Sequence, residues 1–344
     1  MKFNIPRSTF FSSFEWTGER THYPEPGIKG DTYPITWGDD DELYTSSGDP
    51  SGDDKVDGLA FERFSGMPPD YKIARLNTMP EYRGFGGWGE KPSGMICVNG
   101  TLYLAFQNML KGQIPPQSLR SQHGSDAHIV YSFCKGWMWS PTRTNISAPM
   151  FPGYKFGGPS FVQHGKNNDT AKDNFVYAVS SDQWDNGSNL RLGRVPQDEI
   201  IRPESWRWVG AWNIDGSPAW THKLEDSIPI LSLHRWMGLP EMVYLPKFDR
   251  YLFLTWRLHE DFSPTAGTDL LILDAPNPWG PFSLVHFEEY WETQHVNPYC
   301  PRIPLKWLSE DNATGWVLFS GSWGSVPQDP TLYRANVRPF KLTR

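Results

Sequence analysis

Three separated groups of acidic side chains could supply acid–base chemistry. The run Asp39–Asp41 lies between two strand-like segments, and Asp126 precedes an apolar strand. Glu241 lies inside the apolar segment MGLPEMVYL, where we expect burial to raise its pKa so that it can be protonated near neutral pH. One protonated and one ionised carboxyl group are the minimum for cleaving a glycosidic bond, because one protonates the leaving oxygen while the other activates water or attacks carbon.

The elements that must position these groups are short strands in a repeating pattern. Five segments each contain an apolar run, a polar turn and a second apolar run. Their equivalent positions are Leu43, Leu102, Val176, Leu252 and Val317, at intervals of 59, 74, 76 and 65 residues. Such spacing suits one four-stranded sheet per repeat, and repeated sheets that cannot bury their faces alone indicate a propeller. We therefore predict an all-β protein that forms a five-bladed β-propeller in a single domain.

The predicted domain organisation is an N-terminal arm followed by the propeller. We expect residues 1–30 to be an arm that helps to close the ring and residues 31–344 to be the catalytic propeller, since closure protects strand edges. The 344 residues include 31 Gly and 31 Pro and are 15% aromatic, which favours short strands joined by turns. A β-sandwich or jelly roll with long loops is the alternative.

In a propeller, the first strand of each blade lines the central channel, so polar residues where these strands start are candidates for an active site. Those residues are Asp39–Asp41, Lys91, Ser93, Ser160, Glu241 and Arg302. Glu241 is the predicted general acid, although it could instead form a salt bridge with Arg235 or Arg302. In the first blade, side-chain alternation predicts that either Asp39 or Asp40 points into the channel, and the spacing favours Asp40. The alternative is a solvated turn.

Asp126 lies in a segment that is rich in titratable groups, SQHGSDAHIVYS. Its charge could orient a substrate or tune the pKa of the acid, but it could equally accept hydrogen bonds from backbone amides in a turn. Asp57, which opens another strand, is a lesser candidate. The predicted substrate-binding residues are Trp37, His128, Arg191, Trp256, His295 and Arg302. Tryptophan rings pack against the apolar faces of sugars, although most Trp side chains must serve the core.

The composition excludes some classes of partner. A net charge of −7 without a basic block argues against nucleic acid. No segment has the roughly 18 consecutive apolar residues of a membrane span, and the start MKFNIPRSTFFSSFEW has no apolar core of signal-peptide length. We therefore expect a soluble protein with a carbohydrate partner, either cytoplasmic or the mature form of a secreted protein.

The sequence gives little indication of a metal or cofactor. Cys97, Cys134 and Cys300 lack the spacing of a zinc site, so we expect free thiols. The run Asp39–Asp41 offers oxygen ligands for a structural Ca²⁺, but it lacks the spaced ligand pattern of a dedicated calcium loop. No cofactor and no catalytic metal are expected.

Several segments in a fixed order resemble a known family. They are TWGDDDELYTSSGD, KPSGMICVNGTLYLAFQN, SQHGSDAHIVYS, SDQWDNGSNLRLGRVP, GLPEMVYL and NPYCPRIPLKW. Together they resemble, over roughly residues 14–342, a largely bacterial domain family long labelled as of unknown function. Some members of that family are endo-D-arabinanases that act on mycobacterial cell-wall arabinan. The family is distantly similar to five-bladed propeller glycosidases such as arabinanases, xylosidases and invertases.

The resemblance implies a role for each acidic residue. Asp40, or Asp39, corresponds to the first-blade base or nucleophile, and Glu241 corresponds to the acid. Asp126 resembles the aspartate that tunes the acid, although the latter usually starts an inner strand, whereas Asp126 precedes a later strand of the second blade.

These observations lead to three functional hypotheses. The first is a glycoside hydrolase that degrades a polysaccharide, for which arabinofuranosides are candidate substrates, by paired carboxylates in the channel. The second is a polysaccharide lyase, in which His128 or His295 or a tyrosine would act as base and Arg191 or Arg302 would bind a uronate carboxylate. The third is a propeller that binds glycans without catalysis.

Overall fold

The computed structural model describes residues 4–24, 28–51, 58–82, 84, 89–110, 124–260, 263 and 265–344. These residues form 23 strands and only short 3₁₀ helices. The strands assemble into five antiparallel sheets, and the inner strands of successive sheets contact one another. The arrangement is a five-bladed β-propeller, which confirms the predicted fold class.

The strand bounds follow the chain from blade to blade. The N-terminal segment contains β1 (Ser13–Trp16) and β2 (Thr21–His22). The first blade contains β3 (Lys29–Asp31), β4 (Ile35–Trp37), β5 (Leu43–Ser51), β6 (Leu59–Ser65) and β7 (Lys72–Met79). The second contains β8 (Lys91–Val98), β9 (Thr101–Gln107) and β10 (His128–Ser132).

The remaining blades follow in the same way. The third contains β11 (Ser160–Phe161), β12 (Phe175–Ser181), β13 (Gly187–Pro196), β14 (Arg207–Trp212), β15 (Pro218–Thr221) and β16 (Leu231–Met237). The fourth contains β17 (Glu241–Leu245), β18 (Arg250–Leu258), β19 (Thr268–Ala275) and β20 (Ser283–Glu288). The fifth contains β21 (Pro298–Arg302), β22 (Thr314–Gly321) and β23 (Asn336–Thr343). Described 3₁₀ helices are Arg143–Asn145, Lys166–Asn168, Pro203–Ser205, Leu224–Asp226, Leu305–Trp307 and Trp323–Ser325.

The five repeat positions from the sequence all lie on the second strand of a blade. Leu43, Leu102, Val176, Leu252 and Val317 belong to β5, β9, β12, β18 and β22 and are at most 1% exposed. They are buried because each blade packs against its neighbours; Leu252, for example, shares a core cluster with Val317 of the next blade. The repeat pattern therefore detected the burial of the second strands between blades.

The N-terminal segment closes the ring. Strand β1 pairs with β23 from Ser13 opposite Thr343 to Trp16 opposite Phe340, and β2 pairs with the start of the same strand. The ring of Phe14 stacks on that of Phe340 with 4.9 Å between centroids. The first and last parts of the chain thus share the fifth sheet. The first blade begins with β3 at Lys29, two residues before the predicted boundary.

The number of strands per blade varies around the predicted four. The described part of the second blade has three strands, whereas the third blade carries β14, β15 and β16 on the outer side of β13. The fourth blade has four strands in sequence order. In the described residues, no helix is long and apolar enough to cross a membrane.

Candidate active site

Glu241 and Arg302 form a buried ion pair at the channel. Glu241 is the first residue of the inner strand β17, and Arg302 is the last residue of the inner strand β21. Their side chains are 2% and 0% exposed, and Nη1 of Arg302 donates to Oε2 of Glu241 at 2.9 Å. The salt bridge that the sequence offered as the alternative role of Glu241 is therefore present.

Arg302, on the fifth blade, donates hydrogen bonds to residues of blades one, three and four. Nη1 also donates to Oγ of Ser160 at 3.2 Å and to the backbone oxygen of Pro240 at 2.7 Å. Nε donates to the backbone oxygen of Thr32 at 3.4 Å. By contrast, Nη2 of Arg302 and Oε1 of Glu241 are buried and have no hydrogen-bond partner among the residues that the structure describes. A free donor and a free acceptor in one ion pair suit a hydroxyl group, which can both accept and donate.

Burial dominates the electrostatics of Glu241. It raises the pKa of Glu241 to about 7, although the charge of Arg302 and hydrogen bonding with Arg302 and Ser160 oppose the shift. A carboxyl group with a pKa near neutrality can deliver a proton at neutral pH. The ion pair therefore does not prevent Glu241 from acting as an acid.

Asp31 is a second buried carboxylate at the channel, and the sequence analysis missed it. It ends β3 and is 5% exposed. Oδ2 accepts a hydrogen bond from the Tyr299 hydroxyl at 3.0 Å, and Nζ of Lys91 lies 3.7 Å from Oδ1. Lys91 also pairs with Asp49 at 2.5 Å. Burial raises the pKa of Asp31 to about 6, and the charge of Lys91 opposes this.

A buried thiol lies on the strand that contacts both carboxylates. Cys300 is fully buried on β21, between Tyr299, which donates to Asp31, and Arg302, which donates to Glu241. Burial raises the pKa of Cys300, so it remains a neutral thiol. Of the predicted channel residues, Arg302 contacts Ser160 and Glu241, whereas Lys91 lies beside Asp31.

The structure places the run Asp39–Asp41 elsewhere. These residues form the exposed turn between β4 and β5. Along the inner side of the first blade, β3 ends at Asp31 and β4 runs from Ile35 to Trp37, so the turn lies beyond the end of β4 that is farther from Asp31. Lys166 and Lys306, which follow the inner strands of blades three and five, pair with Asp41 there. The structure therefore places Asp39 and Asp40 in an exposed turn, and the predicted catalytic role of either residue stays a prediction.

Each aspartate of this turn has a local partner. Asp39 pairs with Lys135, whose hydrogen bond lowers the pKa of Asp39. Oδ2 of Asp40 accepts a hydrogen bond from the Tyr44 hydroxyl at 2.6 Å. Trp37, a predicted substrate-binding residue, donates from Nε1 to Asp41 at 2.9 Å. Trp37 therefore belongs to this turn and not to the Glu241 cluster.

The Asp126 carboxylate accepts hydrogen bonds from residues near its own loop. It is 6% exposed, and Oδ1 accepts a hydrogen bond from the backbone amide of Gly153 at 2.8 Å. Oδ2 accepts from the Ser125 hydroxyl at 3.2 Å. These contacts fit the structural interpretation given above, and no direct contact with Glu241 is seen. Asp57 lies outside the described residues.

Four further predicted binding residues do not contact the ion pair. Trp256 is fully buried, with Nε1 donating to the backbone oxygen of Leu239 at 3.3 Å, so its ring offers no surface to a sugar. Burial lowers the pKa of His128 to about 4, which keeps the imidazole neutral. Arg191 is half-buried on β13, where burial lowers its pKa. His295 is exposed in the loop before β21.

The structure does not identify a metal site. Within the described ranges, no group of three or more His, Cys, Asp or Glu side chains is placed to hold a metal ion. Lysines lie beside the backbone and carboxylate oxygens of Asp41, and the structural Ca²⁺ suggested for this turn stays a prediction.

Comparisons with known proteins identify the fold but not a family. No protein-family model matches the sequence, and a search of curated proteins finds no match. These searches do not support the resemblance to the family that contains endo-D-arabinanases. Solved structures, in contrast, match over nearly the whole chain.

Three of these solved structures illustrate the likeness. The catalytic domain of a Coprinopsis cinerea GH62 α-L-arabinofuranosidase is 11% identical with a TM-score of 0.52, covering 96% of this chain and 98% of that chain. A GH62 hydrolase in complex with xylotriose is 12% identical with a TM-score of 0.51 and the same coverage. A protein of unknown function from Dyadobacter fermentans DSM 18053 is 12% identical with a TM-score of 0.52, covering 96% and 100%. The likeness to propeller glycosidases is thus shown for the fold.

Proposed function

We propose that this protein is a glycoside hydrolase whose catalytic pair is Asp31 and Glu241. One observation carries the proposal: two carboxyl groups are buried on the inner strands of blades one and four, at the end of β3 and the start of β17, and the pKa of each is raised, to about 6 and about 7. Carboxyl groups with pKa values raised toward neutrality can exchange protons at neutral pH. In this proposal, Asp31 takes the role that was predicted for Asp40.

In the proposed mechanism, Glu241 is the acid and Asp31 is the base or nucleophile. Glu241 donates its proton to the leaving oxygen, while Asp31, ionised beside Lys91, activates water or attacks the anomeric carbon. Arg302, already hydrogen-bonded to Glu241, stabilises the carboxylate that forms when the proton leaves. Lys91 keeps Asp31 ionised by its positive charge.

The charge of the cluster favours a neutral glycan. With Glu241 protonated, the positive charges of Lys91 and Arg302 are balanced by Asp31 and Asp49, so no excess positive charge is left for a uronate. The fold neighbours described above include an α-L-arabinofuranosidase and a hydrolase bound to xylotriose. We therefore propose glycans that contain arabinofuranosyl or xylosyl residues as the substrate class.

The engagement of Arg302 weighs against the lyase hypothesis. A lyase needs a free cation for the uronate carboxylate and a neighbouring base. Nη1 and Nε of Arg302 already donate hydrogen bonds to Glu241, Ser160, Pro240 and Thr32. The site supports hydrolysis better, and a role in glycan binding alone is an outcome that the following experiment detects.

The test is product analysis on a panel of glycans. Purified protein is incubated in H₂¹⁸O with L-arabinan, arabinoxylan, D-arabinan and a uronate-rich polymer, and the products are identified by mass spectrometry. We expect oligosaccharides that carry one ¹⁸O at the new reducing end, and their loss in Glu241→Gln. Unsaturated products would establish a lyase, and glycan binding without any product would overturn the proposed hydrolysis.

A further inference from the structure

The inner strand of the fifth blade contains a β-bulge. Tyr299 pairs with Ser320 and Arg302 pairs with Leu318, so two residues of β21, Cys300 and Pro301, stand opposite one residue of β22. Cys300 has a φ of 53°, a left-handed conformation that is uncommon outside glycine. Pro301 lacks an N–H donor, which suits a position removed from regular pairing.

The bulge turns two side chains to the same face of the sheet. Side chains alternate along a strand, so Tyr299 and Arg302, three residues apart, would otherwise face opposite ways. Their partners Ser320 and Leu318 are two residues apart and therefore share a face. Bulges commonly re-aim side chains beside active sites. Here, β21 supplies one hydrogen-bond donor to each carboxylate: the Tyr299 hydroxyl donates to Asp31, and the Arg302 guanidinium donates to Glu241.

The Tyr299 ring is held firmly. It is 5% exposed and lies edge-on to Trp184, with 5.1 Å between ring centroids, and tilted against Trp256 at 5.5 Å. These contacts leave the hydroxyl at a fixed position, where it donates to Oδ2 of Asp31 at 3.0 Å. Within the described part of the chain, Oδ1 of Asp31 has no hydrogen-bond partner, and Nζ of Lys91 lies 3.7 Å from it.

We propose that Tyr299 is the positioning residue of Asp31 and that the Cys300–Pro301 bulge aims it there together with Arg302. The inference rests on the proposed function, in which Asp31 is the base or nucleophile. By occupying Oδ2, the hydroxyl fixes the plane of the carboxylate and leaves Oδ1, beside Lys91, as the oxygen that takes a proton from water or attacks the anomeric carbon. A hydrogen bond to the ionised carboxylate also keeps Asp31 charged in the working enzyme.

The kinetic test is the pH profile of Tyr299→Phe on a glycan that the panel identifies as a substrate. We expect kcat/KM to fall about tenfold and the acidic limb of the profile to move up by about one pH unit, because the charged form of Asp31 loses a donor. The alkaline limb should stay in place. The control is Tyr71→Phe, which removes another buried hydroxyl, one that donates to the backbone oxygen of Ala335; it should leave both limbs unchanged.

A second measurement needs no substrate. Urea unfolding of wild type, Tyr299→Phe, Asp31→Asn and the double variant at pH 8 and pH 5 gives the coupling between the two side chains. We expect Tyr299→Phe to destabilise the protein more at pH 8, where Asp31 is ionised, and to lose this pH dependence in the Asp31→Asn background.

The two measurements separate failure of this inference from failure of the proposed function. Coupling in the cycle without turnover of any glycan supports the Tyr299–Asp31 contact and refutes the hydrolase. Turnover with an unmoved acidic limb in Tyr299→Phe, or a cycle without coupling, overturns the positioning role.

Discussion

At the residue scale, the candidate site contains two carboxyl groups, those of Asp31 and Glu241. Burial raises the pKa of each group, whereas the charge of the neighbouring cation lowers it. Burial is the larger influence on both Asp31 and Glu241. The cations are nevertheless needed, since a buried carboxylate without a partner is costly. The balance leaves the pKa of each group within the range where enzymes use acids and bases at neutral pH.

The raised pKa values predict a narrow pH optimum. Activity should rise with pH as Asp31 ionises near pH 6 and should fall as Glu241 loses its proton near pH 7. A bell-shaped profile of kcat/KM reports such groups in the free enzyme, and its limbs belong to the interacting pair. A profile that stays flat from pH 5 to pH 9 would contradict this assignment.

Removing the cation beside Glu241 should affect stability in a pH-dependent way. In Arg302→Met, the pKa of Glu241 should rise above its present value of about 7. At pH 9, the variant keeps an unpaired buried charge, or must protonate it, so we expect a loss of about 3–5 kcal/mol in the free energy of unfolding. At pH 5, Glu241 is neutral, and the loss should be smaller. Urea unfolding at both pH values measures the difference; an equal loss would show that the ionised carboxylate is not the cause.

At the element scale, the interruption of the first inner strand determines whether Asp31 or the Asp39–Asp41 turn lies at the candidate site. The apolar run PITW indicates a strand that begins at Pro34, which makes the following aspartates look adjacent to the channel mouth. In the structure, the inner strand is interrupted: β3 ends at Asp31, Thr32 and Tyr33 have positive φ, and β4 begins at Ile35. Alternation along a regular strand cannot predict such an interruption, so Asp31 was missed.

Other elements were predictable because buried apolar residues recur at equivalent positions along the chain. The second strands carry apolar residues at every repeat, and Glu241 stands out because its segment is otherwise apolar. Lys91, Ser160 and Arg302 were predicted because they are polar residues where inner strands were expected to start, and inner strands line the channel. The bulge at Cys300 and the full burial of Trp256 depend on contacts between blades, which the local sequence does not reveal.

At the scale of the whole molecule, the ring is closed by the N-terminal strand. Phe14 of β1 is 3% exposed and packs on Phe340 in the fifth blade. Strand β1 covers the outer edge of β23, which would otherwise be free to pair with another chain. The closure thus protects both the core between the fourth and fifth blades and the sheet edge.

The closure can be tested with two phenylalanines. We expect Phe14→Ala to lower the free energy of unfolding by about 3–5 kcal/mol, because it leaves a cavity in the core. Phe133 is 74% exposed, and Phe133→Ala should change stability by no more than about 0.5 kcal/mol. Denaturant unfolding of both variants gives the comparison. Equal effects would show that β1 contributes little to the closure.

The most direct test of the Asp31–Glu241 pair compares Asp31→Asn with Asp40→Asn on a glycan that the panel identifies as a substrate. Both changes remove one charge from the first blade, but only Asp31 lies beside Lys91 and Tyr299. We predict that kcat/KM falls at least about 100-fold in Asp31→Asn and is unchanged in Asp40→Asn. Full activity in Asp31→Asn together with loss of activity in Asp40→Asn would contradict the account and return the base to the exposed turn.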